Sequence, residues 1–289
     1  MCRFVLYHGP ELTLEMLTTL PKHSIVHQSY KSELRSEPLN GDGFGVAWYT
    51  PKHGKEPAVF RSITPAWSNQ NLKNVARVTS SKTILAHVRA ASPGLPVIET
   101  NCHPFSHEQY AFMHNGYIPD FHKIKRAIQQ RLSDANYNAI QGSTDSEHLF
   151  ALFLEALPKN EDIDHNDMRK ALSSAISTVL ELLQQYNIDA PAQLNLAVSD
   201  GEESVACRFS NSSNDEANSL FWHDGAEYIC EDGICRMRLP FQGIGAVIVA
   251  SEPLSTDPGW SELESGQCIS IDRNGIASFS ALNVPFQQS

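Results

Sequence analysis

Apolar and polar positions alternate in strand fashion at both ends of the chain and with helical period in the middle. "CRFVLYHG" reads as a short strand ended by Gly9-Pro10, and "GFGVAWY" (43–49) as another, opened by the glycine-rich turn Asn40-Gly41-Asp42-Gly43. "KTILAHVRA" (82–90) and "QYAFMHNGY" (109–117) are further strands that each run into polar residues. After Pro119 the apolar residues Phe121, Ile124, Ile128 and Leu132 recur at helical spacing. Thr144-Asp145-Ser146-Glu147 has the form of a capping box and predicts a helix through "HLFALFLEAL". A third helix is expected from about Asn166 to Tyr186, with Met168, Leu172, Ile176, Val179 and Leu183 along one face.

Strands then return. "QLNLAVS" and "SVACRF" flank Asp200-Gly201, while "QCISID" and "IASFSAL" flank Arg273-Asn274-Gly275, so both pairs predict hairpins. "GAVIVAS" (245–251) is apolar throughout, as a strand covered on both faces would be, and Asn211 to Ser219 reads as a loose polar loop. Strands, helices and strands in that order predict an α+β fold, with two mostly antiparallel sheets packed together under helices.

Composition narrows the function more than the fold. The 289 residues are 41% hydrophobic, enough for a sizeable core, and the absence of an internal period favours a single domain over 1–289. A net charge of −11 without clustered Lys or Arg argues against nucleic acid or an anionic membrane as partner. Small molecules or proteins are the expected partners, and with no run approaching the length of a membrane span and no leader pattern opening the chain, a cytoplasmic protein is expected. Six cysteines are too few for a disulfide scaffold and are expected to stay reduced; Cys207, His223, Cys230 and Cys235 do not complete a zinc pattern.

Four stretches place polar groups at strand or helix ends, where they can be held rigidly: Cys2-Arg3, "AHVRAAS" (86–92), "HNG" (114–116) and "STDSE" (143–147). Cys2 is either a buried strand cysteine or, once Met1 is removed, a nucleophile whose own α-amine takes the thiol proton. Arg89, among small apolar residues, either meets an internal carboxylate or awaits an anionic ligand. Asn115-Gly116 is either a tight turn or a pair of donors for a developing oxyanion. Asp145 either caps its helix or receives a ligand ammonium. His87, His103 and His114 fall in or near these stretches as supporting groups.

Taken together, the Met-Cys start, "NGDGFGVAW", "AHVRAAS", "NCHPF", "FMHNGYI", "STDSE" and the later "VIVASEPL" with Gly259-Trp260 resemble the class II glutamine amidotransferases, which are N-terminal-nucleophile hydrolases. "LPKHSIVHQSYKSE" before "LNGDGFGVAWY" is similar to the branch holding the glutathione-degrading γ-glutamyl hydrolase subunit. The resemblance implies a four-layer αββα sandwich, Cys2 as nucleophile, and Asn115 with Gly116 as oxyanion hole. It further implies that Arg89 grips the glutamyl α-carboxylate, that Asp145 receives the α-ammonium, and that Ser92 and His87 belong to the substrate site. No cofactor or metal is implied. Ala90 stands where many of these enzymes carry tryptophan, so the pocket wall should differ in shape. The open alternatives are a γ-glutamyl amidohydrolase, a glutaminase subunit passing ammonia to a separate synthase as protein partner, and a non-catalytic γ-glutamyl binder that keeps Met1.

Overall fold

The computed structural model describes residues 2–34, 39–92, 94–159, 162–212, 217–238 and 245–284. Met1, whose removal the resemblance implies, lies outside the described residues, as do 213–216 of the expected 211–219 loop. The first third supplies strands β1 (Arg3–Thr13), β2 (Phe44–Trp48), β3 (Ala58–Ser62), β4 (Ser80–Val88), β5 (Phe105–His107) and β6 (Tyr110–Tyr117). Helices α1 (Glu15–Thr18), α2 (Ile25–Gln28) and α3 (Gln70–Val78) lie between them. Then come α4 (Phe121–Gln129), α5 (Asp134–Ala139), α6 (Asp145–Ala156) and α7 (His165–Gln185). The last third holds β7 (Gln193–Ser199), β8 (Ser204–Arg208), β9 (Phe221–Gly225), β10 (Glu227–Glu231), β11 (Ile234–Arg238), β12 (Ala246–Ala250), β13 (Ser261–Glu262), β14 (Gln267–Ile271) and β15 (Ala277–Ala281).

One sheet runs β13-β9-β12-β1-β4-β2-β3, the other β15-β14-β8-β7-β6-β5, and β10-β11 form a separate hairpin. Strand parity sorts their side chains into layers. Phe4 and Leu6 of β1, Val247 and Val249 of β12, and Ala111 and Met113 of β6 meet between the sheets. Val5, Tyr7 and Ile248 point the other way, onto α1, α2, α3 and the β10-β11 hairpin. Phe112, Leu194, Leu196 and Val198 pack under α4, α6 and α7. The result is helix, sheet, sheet, helix: the expected α+β sandwich, with β1 central in its sheet between β12 and β4. Both expected hairpins form, β7 with β8 and β14 with β15.

Several local expectations are corrected. Gly9-Pro10 does not end β1; the register with β4 jumps from His8↔Thr83 to Leu12↔Ser81, so the pair forms a bulge that lets the strand run on to Thr13. A bulge tolerates Pro10, which has no N–H to give the ladder. Thr144 caps α6 by accepting from the Glu147 N–H at 3.2 Å, but Glu147 accepts from Gln141 and Gly142 instead of closing a reciprocal box. Cys230 and Cys235 are joined in a disulfide, not reduced as expected. They oppose each other across β10-β11 with Cα atoms 4.1 Å apart, a proximity that a tight Asp232-Gly233 turn imposes. Cys2, Cys102, Cys207 and Cys268 are free.

Candidate active site

At one end of the inter-sheet layer, a cavity of about 120 Å³ is lined by Cys2, Arg89, Ser92, Gly116 and Asp145, with His103 and His114 on its wall. Strand parity explains the convergence. Cys2 continues the row of Phe4 and Leu6, His87 and Arg89 that of Leu85, and Asn115 that of Ala111 and Met113, all rows of the inter-sheet layer. Residues far apart in sequence thus reach one end of the sandwich because their strands are neighbours.

The Cys2 sulfur rests on the backbone of Ala90, 3.4 Å from its N–H and 3.4 Å from its carbonyl. Burial pushes the Cys2 thiol up, while the Ala90 N–H and the positive charge of Arg89 pull the other way. Arg89 is 3% exposed, and among the described residues its guanidinium donates to the carbonyls of Asp42, at 3.5 Å, and Pro96, at 3.4 Å. Among the described residues no carboxylate pairs with it, so the internal ion pair weighed from sequence is not there. The Asn40-Gly41-Asp42-Gly43 turn splints this segment: Arg89 N–H donates to Gly43 at 2.8 Å, and Ala91 N–H to Asp42 Oδ2 at 2.8 Å.

Asn115-Gly116 is not a turn. Both residues sit inside β6, opposite Asn195 and Leu194 of β7. The Asn115 side chain is fully buried, and its Nδ2 donates one hydrogen to Ser251 Oγ at 3.3 Å, leaving the second without a partner among the described residues. At Gly116 the strands come so close that a Cβ would stand 1.8 Å from the Gln193 carbonyl oxygen. Asp145 does what a helix-start carboxylate should, accepting from Ser146 N–H at 2.8 Å, but its other oxygen accepts from Ile118 N–H at 2.9 Å. Helix α6 and the end of β6 are thereby tied together at the cavity.

The three histidines divide. His114 lines the cavity with Nδ1 2.9 Å from Ser146 Oγ, and Nε2 3.2 Å from the Gln193 carbonyl, so Nε2 carries the proton and the hydroxyl donates to Nδ1. His87 lies beneath the cavity, off its wall, where Nε2 donates to the His114 carbonyl at 3.2 Å. Burial pulls His87 down to about 3, so it is neutral at working pH. His103 stacks on it with centroids 4.1 Å apart, and neither His103 ring nitrogen has a partner among the described residues. Ser92 is exposed at the rim.

Sequence reading did not single out Ser251, Glu252 or Asp42. Asp42 had a visible signal, its place in the Gly-x-Gly turn. Ser251 and Glu252 had only their position at the end of an apolar run.

A family model described as glutamine amidotransferases class-II matches residues 18–288. The probable glutamine amidotransferase DUG3 of Saccharomyces cerevisiae is 39% identical over an alignment covering 100% of this chain and 86% of that protein. The gamma-glutamyl-hercynylcysteine sulfoxide hydrolase of Mycolicibacterium smegmatis is 25% identical, covering 94% of this chain and 96% of its own. Among solved structures, a glutamine aminotransferase class-II domain protein from Silicibacter pomeroyi matches with a TM-score of 0.65 and 28% identity over 97% of this chain and 99% of that one. Glutamine phosphoribosylpyrophosphate amidotransferase of B. subtilis shares the fold, with a TM-score of 0.60 at 15% identity over 99% of this chain and 50% of that one. A model spanning most of the sequence and a 39% identical relative aligned along all of it lead to one conclusion: the chain belongs to the class II glutamine amidotransferases, a family of enzymes.

Proposed function

We propose that the chain hydrolyses the γ-glutamyl amide bond of glutamine or of a glutathione-like γ-glutamyl peptide, through a γ-glutamyl thioester on Cys2 formed after Met1 is removed. The observation that carries this reading is Arg89, a buried guanidinium without a carboxylate partner among the described residues, facing the same cavity as the Cys2 sulfur and the Asp145 carboxylate. A buried cation in that state calls for an anion from outside. A glutamyl head offers one: its α-carboxylate suits the Arg89 fork, and its α-ammonium suits Asp145. The γ-carbonyl, a few bonds away, then lies within reach of Cys2.

In the chemistry proposed, the α-amine of Cys2 takes the thiol proton as sulfur attacks the γ-carbonyl. Asn115 and Gly116 donate to the oxyanion, the C–N bond breaks, and the leaving amine takes the proton. Water then cleaves the thioester, releasing glutamate and restoring the thiol. Ser92 at the rim and His87 under the floor complete the substrate site, His87 by supporting the strand that carries His114.

The test is glutamate release by processed protein across glutamine, glutathione and other γ-glutamyl peptides, beside Cys2→Ala, with intact mass establishing the loss of Met1. Equal activity in both proteins overturns the reading. The resemblance to a probable amidotransferase keeps a second reading, a glutaminase subunit serving a partner synthase. Co-purification of a protein that raises glutaminase turnover would favour it.

A further inference from the structure

Two consecutive residues at the end of β12 grip the N-terminal strand from opposite faces. On the inter-sheet face, Ser251 Oγ accepts from the Phe4 N–H at 3.1 Å and from Asn115 Nδ2 at 3.3 Å, so one hydroxyl joins the strand that follows Cys2 to the amide of Asn115. Ser251 also donates its own N–H to the Phe4 carbonyl at 3.0 Å. On the other face, Glu252 Oε1 stands 2.7 Å from Nε of Arg3 and accepts from Ser32 Oγ at 2.6 Å, while Oε2 accepts from Glu33 N–H at 3.2 Å. Arg3 bonds to Asn40 as well, just before the Asp42 turn that splints Arg89.

Arg3 is fully buried and Glu252 is 3% exposed, yet neither they nor Ser251 line the cavity. A buried ion pair adds little net stability over apolar residues of similar size, because desolvating both charges offsets their attraction. What it does supply is direction: the guanidinium of Arg3 can satisfy Glu252 and Asn40 in few orientations, and Cys2 is the next residue along the chain.

We propose that Ser251 and Glu252 are positioning residues that set the Cys2 sulfur against the Asn115 amide, Ser251 by sharing its hydroxyl between them and Glu252 by anchoring Arg3. The inference rests on the roles proposed above for Cys2 and Asn115. Neither residue touches the glutamyl head, so their loss should slow the chemical step and spare binding.

The experiment compares processed wild type, Ser251→Ala, Glu252→Gln, Asn115→Ala and the Ser251→Ala/Asn115→Ala pair in γ-glutamyl hydrolysis. Alkylation of Cys2 by iodoacetamide, followed by mass, runs alongside on wild type and Glu252→Gln. Ser251→Ala should lower kcat by about 10- to 100-fold with KM within about twofold, and should add less than about twofold once Asn115 is already alanine, because both act through one amide. Glu252→Gln, nearly isosteric, should lower kcat by about tenfold and change the alkylation rate at least about threefold. Multiplicative losses in the Ser251/Asn115 pair, or full kcat in both single variants, overturn the proposal. If wild type hydrolyses no γ-glutamyl amide, the functional reading fails separately. Alkylation then decides: a changed rate in Glu252→Gln supports positioning and an unchanged one refutes it.

Discussion

Burial raises the Cys2 thiol above its ordinary range, so the resting sulfur holds its proton at neutral pH and depends on a base. The proposed base, its own α-amine, has an ordinary pKa of about 7.7–8.0 and is useful only when uncharged. Activity of the processed chain should therefore climb as pH rises through about 7 to 8 and level off above, read from kcat/KM for a γ-glutamyl amide. A preparation that retains Met1 should lose about 10²- to 10⁴-fold, the usual worth of a positioned base. Gly116 makes a different demand. Its replacement by alanine would drive a Cβ to 1.8 Å from the Gln193 oxygen, so β6 and β7 must separate. The expected cost is about 1–3 kcal/mol, measured by urea unfolding, together with lost turnover.

Helix α6 begins where the cavity begins, and Thr144 is its cap as well as part of the wall. Thr144→Ala should cost about 1 kcal/mol in urea unfolding, and should raise KM more than it lowers kcat, because the helix end that loosens carries Asp145. This helix was legible from sequence, as was α7, since cap residues and a 3.6-residue period are local signals. The β7-β8 and β14-β15 hairpins were legible for the same reason. What escaped was non-local. Asn115-Gly116 falls within the strand expected over 109–117, but its turn-like composition left a tight turn open as well, and what decides for the strand is β7, which pairs with it across the intervening α4 to α7. The bulge at Gly9-Pro10 exists only because β4 is there to pair beyond it. The Cys230–Cys235 hairpin did have a local sign, Asp232-Gly233, whose positive φ values of 52° and 75° fit a two-residue turn. Arg89, Cys2 and Asp145 were named one by one from residue type and the family resemblance, while their common cavity comes from strand order, which no local pattern encodes.

Across the whole molecule, several histidines are buried without charge. Burial pulls His8 to about 4, His87 to about 3 and His148 to about 4, against about 6.5 when unfolded. The unfolded chain therefore takes up these protons first as pH falls. Stability is full above about pH 6.5 and declines below it, by up to about 1.4 kcal/mol per pH unit for each such histidine, until the folded values near 4 and 3 are passed. The unfolding midpoint in urea should drop steeply between pH 6.5 and 4, and His148→Gln, which does not itself line the cavity, should flatten the slope. The central place of β1 has a temporal corollary. Its two neighbours, β4 and β12, leave the ribosome long apart: at about 5–20 residues per second, β12 is made roughly 10–50 s after β1. Until β12 emerges, β1 is paired on at most one flank, so one edge of what becomes the middle of the sheet stays open to water for most of synthesis.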